Sequence, residues 1–491
     1  MKLAAPLPEI RLDAASNVPL FRQLYGALKE AILSGQIKPG AQLPPSRSLA
    51  ATLKVSRQTV VNAYAQLLAE GYFMCTVGKG SFVSQNLPVR MERVRRREPQ
   101  PATQPEPPQL SERGRAFANP RLPLVEQVGG ARAFRTGMPA LEAFPFDVWT
   151  RLNARRWRRP LLPLGYGDPA GFAPLRELLA AHLQVSRGMR CAPEQIIVTT
   201  GAQQALNLVA MLLTSAGDKV WMESPGYRGA AAAFEAAGLV ACPVAVDGEG
   251  LCVEQGITQH PTARLAYVTP SHQYPLGVTM TLERRMALIA WAAQHKAWIV
   301  EDDYDSEYRY SGPVLASLQS LDRSGSVLYV GTLSKILFPG LRLGYLVVPP
   351  ALVDAFRRGK AVMDRTTALM PQVVLADFIA GGHFHRQIKR THALYDERRT
   401  VLVDALQSEL GQHVAIGPSN AGLQLAVAFQ RPLDDQAFAE RAAAKGIEVR
   451  ALSTFYLDQA TQTRASGLLL GYSCVPPVDI RRGVAVLKGL L

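Results

Sequence analysis

Residues 331–345 have the sequence Gly-Thr-Leu-Ser-Lys-Ile-Leu-Phe-Pro-Gly-Leu-Arg-Leu-Gly-Tyr, and they decide the fold of most of this chain. They follow an apolar run, Ser326 to Val330, that predicts a buried strand. Lys335 precedes Arg342 by seven residues. A lysine in a turn after a buried strand can form a Schiff base, and a nearby arginine can neutralise a phosphate on the same ligand. This amine and phosphate pair indicates pyridoxal phosphate.

Length and charge indicate more than one domain. The chain has 491 residues, of which 48% are hydrophobic, so two or three ordinary globular cores are expected. Its net charge is +14, and residues 1–120 hold 16 Lys and Arg against 8 Asp and Glu, a net charge of +8. A basic N-terminal quarter suggests a polyanion partner for that part alone, although a solvated basic face explains the charge equally well.

The cysteines and the apolar segments bear on the compartment. The five cysteines are scattered and never spaced as Cys-x-x-Cys, so neither a disulfide framework nor a zinc site is indicated, and no metal is expected. A signal-peptide pattern is missing from the sequence, and so is an apolar stretch long enough to cross a bilayer. We therefore expect a cytoplasmic protein without a membrane partner.

Residues 20–83 have the pattern of three helices followed by a hairpin. Helices are expected over 21–33, 46–53 and 56–70, with Ser46 and Ser56 as N-caps, and strands over 72–76 and 81–83. On the third helix, the predicted buried stripe is Val60, Tyr64, Leu67 and Leu68, and the predicted polar face is Arg57, Gln58, Thr59 and Asn62. A tight turn before such a polar helix face is typical of a helix-turn-helix that reads DNA, with an amphipathic bundle as the alternative.

This region resembles the GntR-type winged helix-turn-helix in its Pro-Ser-Arg, Ser-Arg-x-Thr-Val and Gly-Lys-Gly segments. The resemblance implies a double-stranded DNA operator as a partner. It implies DNA contacts by Ser46, Arg47, Ser56, Arg57 and Thr59, and by the wing around Gly78 and Lys79.

The rest of the chain divides into a linker and an α/β region. Domain boundaries are expected at 13–85 for the DNA-binding unit, 86–130 for a linker rich in proline and arginine, and 131–491 for an effector domain. The effector domain is expected to have a large subdomain, about 150–350, and a small one, about 351–491. In the large subdomain, helical patterns alternate with apolar runs at 195–199, 219–222, 265–268, 297–300 and 327–330, which predicts a mostly parallel sheet covered on both faces.

Two further segments suit pyridoxal phosphate. In Val198-Thr-Thr-Gly-Ala-Gln-Gln-Ala205, a glycine and a helix start follow a strand, so free backbone amides can bind phosphate. In Val300-Glu-Asp-Asp-Tyr-Asp305, acids follow a strand and can keep a pyridine nitrogen protonated. A magnesium site competes for the acids, but no nucleotide-binding glycine loop supports it.

Residues 131–491 resemble the fold-type I, class I/II aminotransferases, and the whole chain resembles the MocR subfamily of GntR-type regulators. The resemblance implies that Lys335 holds the cofactor, Asp302 pairs with the pyridinium and Tyr304 hydrogen-bonds the phenolic oxygen. It implies that the phosphate is bound by Arg342, Thr332, Ala202 and Gln203, that Tyr227 stacks on the ring, and that Tyr166 reaches the phosphate of a neighbouring subunit in a homodimer.

The chain departs from the aminotransferase pattern at two places. Tyr274 stands where many aminotransferases have the asparagine of Asn-Pro-x-Gly. The segment Leu468–Ser473, where the substrate-carboxylate arginine is expected, contains no arginine. Arg450 and Arg464 are candidate substitutes for substrate binding, although a surface position is commoner for arginine.

Three functional hypotheses follow. The favoured one is a DNA-binding regulator that senses an amino compound through aldimine chemistry at Lys335, with weak or partial transaminase activity at most. The alternative is an active aminotransferase with an appended DNA-binding domain. A third makes the C-terminal part a sensor of pyridoxal phosphate itself.

Overall fold

The computed structural model of the protein describes residue 10 and residues 12–76, 80–87, 109–118, 133–158, 165–312, 316–457 and 465–491. The chain divides into two compact units, Met1–Pro108 and Gln109–Leu491. The domain boundaries expected from the sequence remain predictions at the level of single residues. Each unit is described by itself below.

The first unit is a three-helix bundle with a hairpin. Its elements are α1 (Leu20–Leu33), α2 (Ser46–Leu53), α3 (Arg57–Ala69), β1 (Phe73–Thr76) and β2 (Gly80–Val83). Strands β1 and β2 pair antiparallel, and the core between the helices is apolar, with Leu24, Leu28, Val60 and Leu67 fully buried. Burial of these side chains stabilises the bundle and leaves the N-terminal end of α3 open to solvent.

Three local expectations for this unit have different outcomes. Ser56 caps α3, because its Oγ accepts a hydrogen bond from the Thr59 backbone N–H at 3.1 Å. The expectation for Ser46 is wrong, since the N-cap of α2 is Pro45 and no side chain caps it. Leu68 was expected in the buried stripe but is 43% exposed, because the inward face of α3 at this level is occupied by Leu67.

The second unit contains helices and strands in alternation. Its helices are α4 (Glu112–Phe117), α5 (Phe146–Trp157), α6 (Ala173–Arg187), α7 (Ala202–Leu213), α8 (Arg228–Ala236), α9 (Val253–Gln259), α10 (Leu282–His295), α11 (Leu318–Leu321), α12 (Val353–Asp364), α13 (Leu369–Ala380), α14 (His383–Leu410), α15 (Asp435–Ala444) and α16 (Pro477–Lys488). Its strands are β3 (Ile196–Thr199), β4 (Lys219–Ser224), β5 (Val240–Asp247), β6 (Gly250–Leu251), β7 (Ala263–Val268), β8 (Trp298–Asp303), β9 (Val327–Thr332), β10 (Gly344–Val347), β11 (Val414–Ile416), β12 (Gln424–Phe429), β13 (Arg450–Ala451) and β14 (Gly467–Gly471).

The large sheet positions the site. Within the described residues it has the order β3-β10-β9-β8-β7-β4-β5-β6. The five adjacent strands β5, β4, β7, β8 and β9 pair parallel, as the sequence predicts. Strand β10 pairs antiparallel with both β3 and β9, and β6 pairs antiparallel with β5. The connection from β9 to β10 carries Lys335 and Arg342, so one loop at the carboxyl ends of the parallel strands presents both side chains.

A smaller antiparallel sheet of order β11-β12-β14-β13 lies beyond α14. In it, Arg450 of β13 pairs with Leu469 of β14. The segment that begins at Ala133 also joins this region, through a bridge to Ile447 and a hydrogen bond from Gly471 N–H to the Phe134 carbonyl at 2.9 Å. Among the helices described, none has the length and apolar character needed to span a membrane.

Candidate cofactor site

A cavity of about 400 Å³ opens at the carboxyl ends of the parallel strands. It brings together most of the residues predicted from the sequence, namely Lys335, Arg342, Asp302, Tyr304, Tyr227, Ala202, Gln203, Thr332, Tyr274 and Arg450. These residues come from the β3–α7 turn, the β4–α8 turn, the segments after β7 and β8, the β9–β10 loop and β13. The cavity therefore collects an amine, a carboxylate, two guanidinium groups and an aromatic wall.

Lys335 presents a primary amine to this cavity. Its Nζ donates a hydrogen bond to the Gly137 carbonyl at 2.7 Å. Enclosure lowers the pKa of Lys335, and the nearby Asp305 and Asp302 oppose that shift. Because a lowered pKa raises the fraction of neutral amine, the lysine is suited to attack a carbonyl carbon.

Asp302 is the second-last residue of the parallel strand β8 and lines the cavity. Its Oδ2 accepts a hydrogen bond from the Tyr267 hydroxyl at 2.7 Å, while its buried Oδ1 has no partner among the described residues. Burial raises the pKa of Asp302 to about 7. A buried carboxylate oxygen without a partner fits a cationic donor such as a protonated pyridine nitrogen, because that donor would satisfy the oxygen and favour its charge.

The start of α7 lies in the cavity and is open to an anion such as phosphate. Gly201 precedes this helix with φ of 128°, and no side chain caps the helix N-terminus. This φ favours glycine, and a Cβ built at residue 201 would lie in ordinary contact, 3.4 Å, with Nη2 of Arg342, so the guanidinium lies beside the turn. The side chain of Gln203 donates to the Gly229 carbonyl at 2.8 Å. Its backbone N–H lies in the first turn of α7, where N–H groups have no intrahelical acceptor, and can donate to an anion.

Three tyrosines form the aromatic wall. The ring of Tyr274 stands edge-on to Tyr227 and Tyr304, with centroids 5.9 Å and 5.8 Å apart. Burial raises the pKa of Tyr227 to about 12 and that of Tyr304 well above its usual range, so both hydroxyls remain protonated donors. The wall can pack against a flat ring and donate hydrogen bonds to its oxygens.

Arg450 borders the same cavity, so it is not one of the surface arginines that are commoner in proteins. Its Nη1 donates to the Tyr274 hydroxyl at 3.2 Å, and its guanidinium lies 4.6 Å from the centroid of Phe455. Within the described ranges, no carboxylate forms an ion pair with it. It is therefore available to an anionic group of a bound molecule.

The structure adds cavity residues that the sequence did not indicate. Thr136, Gly137 and Met138 come from a segment about 200 residues before Lys335 and carry no motif, while Tyr267, Thr269, Ser334, Pro339 and Gln424 also line the cavity. For Tyr267 and Thr269 a signal exists, because β7 neighbours β8 and ends at the same edge of the sheet.

One predicted site residue among those described, Tyr166, does not line the cavity. Tyr166 is 87% exposed and lies near Arg365, whose guanidinium is 5.1 Å from the centre of the tyrosine ring. Arg464 lies outside the described residues, so its expected role stays a prediction.

The acids around Asp302 do not converge on one ion. Glu301 accepts hydrogen bonds from the backbone N–H groups of Leu318 and Gln319, at 2.9 and 3.0 Å. Asp303 accepts from Arg187 Nε at 2.7 Å. No group of three metal-ligating side chains in the described parts of the chain is arranged to hold a metal ion. The acids serve separate structural partners.

In the first unit, the predicted DNA-contacting residues cluster around the starts of α2 and α3. Arg47 and Arg57 are exposed, and Ser46 and Thr59 are half-buried. Ser56 Oγ lies 2.8 Å from Thr59 Oγ1, so these hydroxyls also fix the start of α3. Gly78 and Lys79 of the expected wing tip lie outside the described residues.

The fold and the site together define a fusion of a winged helix-turn-helix with a fold-type I aminotransferase domain. Residues 20–83 match the family "Bacterial regulatory proteins, gntR family", and residues 163–467 match "Aminotransferase class I and II". The probable rhizopine catabolism regulatory protein MocR of Rhizobium meliloti is 40% identical over 97% of this chain and 94% of its own length. The chain belongs to the MocR subfamily of GntR-type DNA-binding transcription regulators, as the sequence predicts.

Solved aminotransferase structures share the second unit. The kynurenine aminotransferase of Pyrococcus horikoshii has a TM-score of 0.68 and 29% identity, covering 74% of this chain and 91% of that one. LysN of Thermus thermophilus, an α-aminoadipate aminotransferase complexed with N-(5'-phosphopyridoxyl)-L-leucine, has a TM-score of 0.67 and 28% identity, covering 73% and 91%. With the unpartnered Asp302 oxygen and the open α7 N-terminus, these likenesses support pyridoxal phosphate as the cofactor.

Proposed function

We propose that this protein is a cytoplasmic, homodimeric regulator that binds a double-stranded operator through its first unit and senses a small amino compound at Lys335. The observation that carries the proposal is the cavity itself, in which Lys335, Asp302 and Arg342 meet in a chain that also has a DNA-reading unit. A cavity with these groups is suited to hold the cofactor and an amine at once.

In this proposal each side chain has a defined task. Bound pyridoxal phosphate supplies a carbonyl carbon that forms a covalent bond with either Lys335 or the amine of the effector. Lys335 would hold the cofactor through its Nζ, which would also hold or release a proton. Asp302 stabilises a protonated pyridine nitrogen, while Arg342, Thr332 and the free N–H groups at the start of α7 bind phosphate.

Arg450 narrows the class of effector. Arg450 borders the cavity, and no carboxylate among the described residues forms an ion pair with it. A carboxylate on the effector would pair with it, so we infer an amino acid or a related amino carboxylate rather than a simple amine. That Arg464 also binds the effector stays a prediction.

The proposal of a dimer rests on the exposed side chain of Tyr166. A tyrosine that is 87% exposed contributes little to its own fold, whereas in a dimer it can reach the phosphate of the neighbouring cavity. Two DNA-reading units on one dimer would contact two half-sites through Arg47, Arg57 and the serines and threonine near them.

Sensing an effector makes fewer demands on the cavity than catalytic turnover does. A switch requires only that a ligand favour one conformation, whereas an efficient transaminase must bind two substrates in turn and release a keto product. The β14 segment, where the resemblance to aminotransferases places the carboxylate-binding arginine, has none here, and Arg450 would hold a carboxylate from the neighbouring strand β13 instead. We therefore expect binding of amino compounds with slow or no production of keto acids.

The test measures operator affinity and keto-acid production in parallel, with and without each amino compound of a panel. Regulation predicts an operator affinity that changes with at least one compound, and loss of that response in Arg450→Gln protein. Arg431→Gln, an exposed arginine outside the cavity, is the matched control. Turnover near ~10 per second, with operator affinity indifferent to every compound, would identify an aminotransferase instead.

A further inference from the structure

Behind the cofactor cavity lies a buried pair, His272 and Asp305, that the proposed function leaves without a task. Nδ1 of His272 lies 3.0 and 3.1 Å from the two carboxylate oxygens of Asp305. Their side chains are 3% and 1% exposed. A carboxylate only accepts hydrogen bonds, so this geometry places a proton on Nδ1.

His272 also contacts Tyr304, which borders the cavity. The Tyr304 hydroxyl donates to the His272 carbonyl at 2.9 Å and lies 3.0 Å from His272 Nδ1. Gln424 Nε2 donates to the same hydroxyl at 3.4 Å. The one Nδ1–H is shared between the Asp305 carboxylate and the tyrosine oxygen, and the Gln424 amide donates to that oxygen as well, so the oxygen is occupied as an acceptor. The hydroxyl proton must then go to an acceptor, which is the His272 carbonyl here and can be an anionic oxygen of a molecule in the cavity.

The imidazole has little freedom to turn. A Cβ at Gly422 would overlap Cε1 of His272, and a Cβ at Gly277 would lie 3.3 Å from its Nε2. That Nε2 is buried and has no hydrogen-bond partner among the described residues. Asp305 and the two close glycines thus hold the ring in one orientation.

We propose that His272, held by Asp305, is a positioning residue that fixes the Tyr304 hydroxyl as a hydrogen-bond donor to the phenolic oxygen of pyridoxal phosphate. The inference rests on the proposed function, in which Tyr304 binds that oxygen. His272 does not line the cavity, so it would act on the cofactor through the tyrosine.

A double-mutant cycle on the full chain tests the inference. The dissociation constant of pyridoxal phosphate is measured by absorbance titration for the wild type, His272→Leu, Tyr304→Phe and the double variant. Each single change is expected to weaken binding about three- to tenfold, which is the value of one hydrogen bond. The double variant is expected to bind no more weakly than Tyr304→Phe alone.

Three further variants complete the design. His272→Asn keeps an N–H near the position of Nδ1 and should restore most of the affinity. Asp305→Asn is measured alone and combined with Tyr304→Phe in the same way. This second cycle tests the inference if the His272→Leu variant does not fold. His182→Leu is the control, because His182 is another buried histidine and lies outside the cofactor cavity. Thermal unfolding of each cofactor-free variant reports folding.

The outcomes separate the two proposals. If His272→Leu and Asp305→Asn weaken binding as much in the Tyr304→Phe background as in the wild-type background, the pair is only structural. The inference is then wrong, while the proposed function stands. An unchanged affinity in Tyr304→Phe also overturns the inference, together with the role of Tyr304. Failure of the wild type to bind pyridoxal phosphate overturns both proposals.

Discussion

Replacing Asp302 with asparagine is expected to have opposite effects on the cofactor-free protein and on cofactor binding. Burial raises the pKa of Asp302 to about 7, whereas an aspartate in an unfolded chain has a pKa of ~3.9. Between pH ~4 and pH ~7 the folded state therefore keeps a proton on Asp302 that the unfolded state has lost. The stability that Asp302 contributes is fully present below pH ~4 and is lost as the pH rises through 7.

The size of this loss follows from the shift. About three pKa units correspond to about 4 kcal/mol, so unfolding of the wild type should become easier by up to that amount between pH ~4 and pH ~8. Asparagine does not titrate, so the Asp302→Asn variant should lack this part of the pH dependence. The same variant should bind pyridoxal phosphate about ten- to a hundredfold more weakly, because a charged hydrogen bond to the pyridine nitrogen is lost.

Urea unfolding from about pH 5 to about pH 8, followed by tryptophan fluorescence, measures the effect over most of this range. All five tryptophans, at positions 149, 157, 221, 291 and 298, lie in the second unit and report on it alone. Asp303→Asn is the matched control on the same strand. Burial alone raises the pKa of Asp303, but the charge of Arg187 together with hydrogen bonds from Ser306, Tyr329 and Arg187 outweighs burial and lowers that pKa. The control variant should therefore be destabilised by about 3–5 kcal/mol at neutral pH. Equal pH slopes for the wild type and Asp302→Asn would refute the reasoning.

Three further predictions concern the covalent anchor, the DNA contacts and the assembly. Borohydride reduction should leave a pyridoxyl label on the wild type and none on Lys335→Ala, and a label at the wild-type level on the variant would contradict the assignment. Truncating Arg47 or Arg57 to alanine should cost about 1–3 kcal/mol of specific DNA binding in a mobility-shift assay, against no change if they do not touch DNA. Sedimentation should show a dimer at micromolar concentration, and Tyr166→Phe should weaken cofactor binding while the dimer persists; a cofactor-loaded monomer would exclude the shared site.

Much of the site could be predicted because the parallel sheet collects strand ends at one edge. Lys335 and Asp302 each follow an apolar run, so recognising the runs as parallel strands was enough to bring their side chains together. The meeting of Gly201 and Arg342 has a similar reason, since β10 lies beside β3.

The rest depends on contacts that no local pattern records. Gly137 meets Lys335 across 198 positions of sequence, through a segment that lacks periodicity. Arg450 reaches the cavity because β13 pairs with β14, and an isolated arginine in a sequence says nothing of such a pairing. Leu68 is apolar but exposed, since helical spacing alone does not decide which of two adjacent leucines faces the core.

The hydrogen bond from Lys335 to the Gly137 carbonyl has a mechanical consequence. Gly137 lies in a stretch whose Phe134 carbonyl accepts a hydrogen bond from the backbone N–H of Gly471 in the small sheet. A molecule that took the lysine amine would remove the Lys335 hydrogen bond and leave that link to the sheet in place. Residues 134–138 would therefore respond to occupancy of the cavity from the Gly137 end alone.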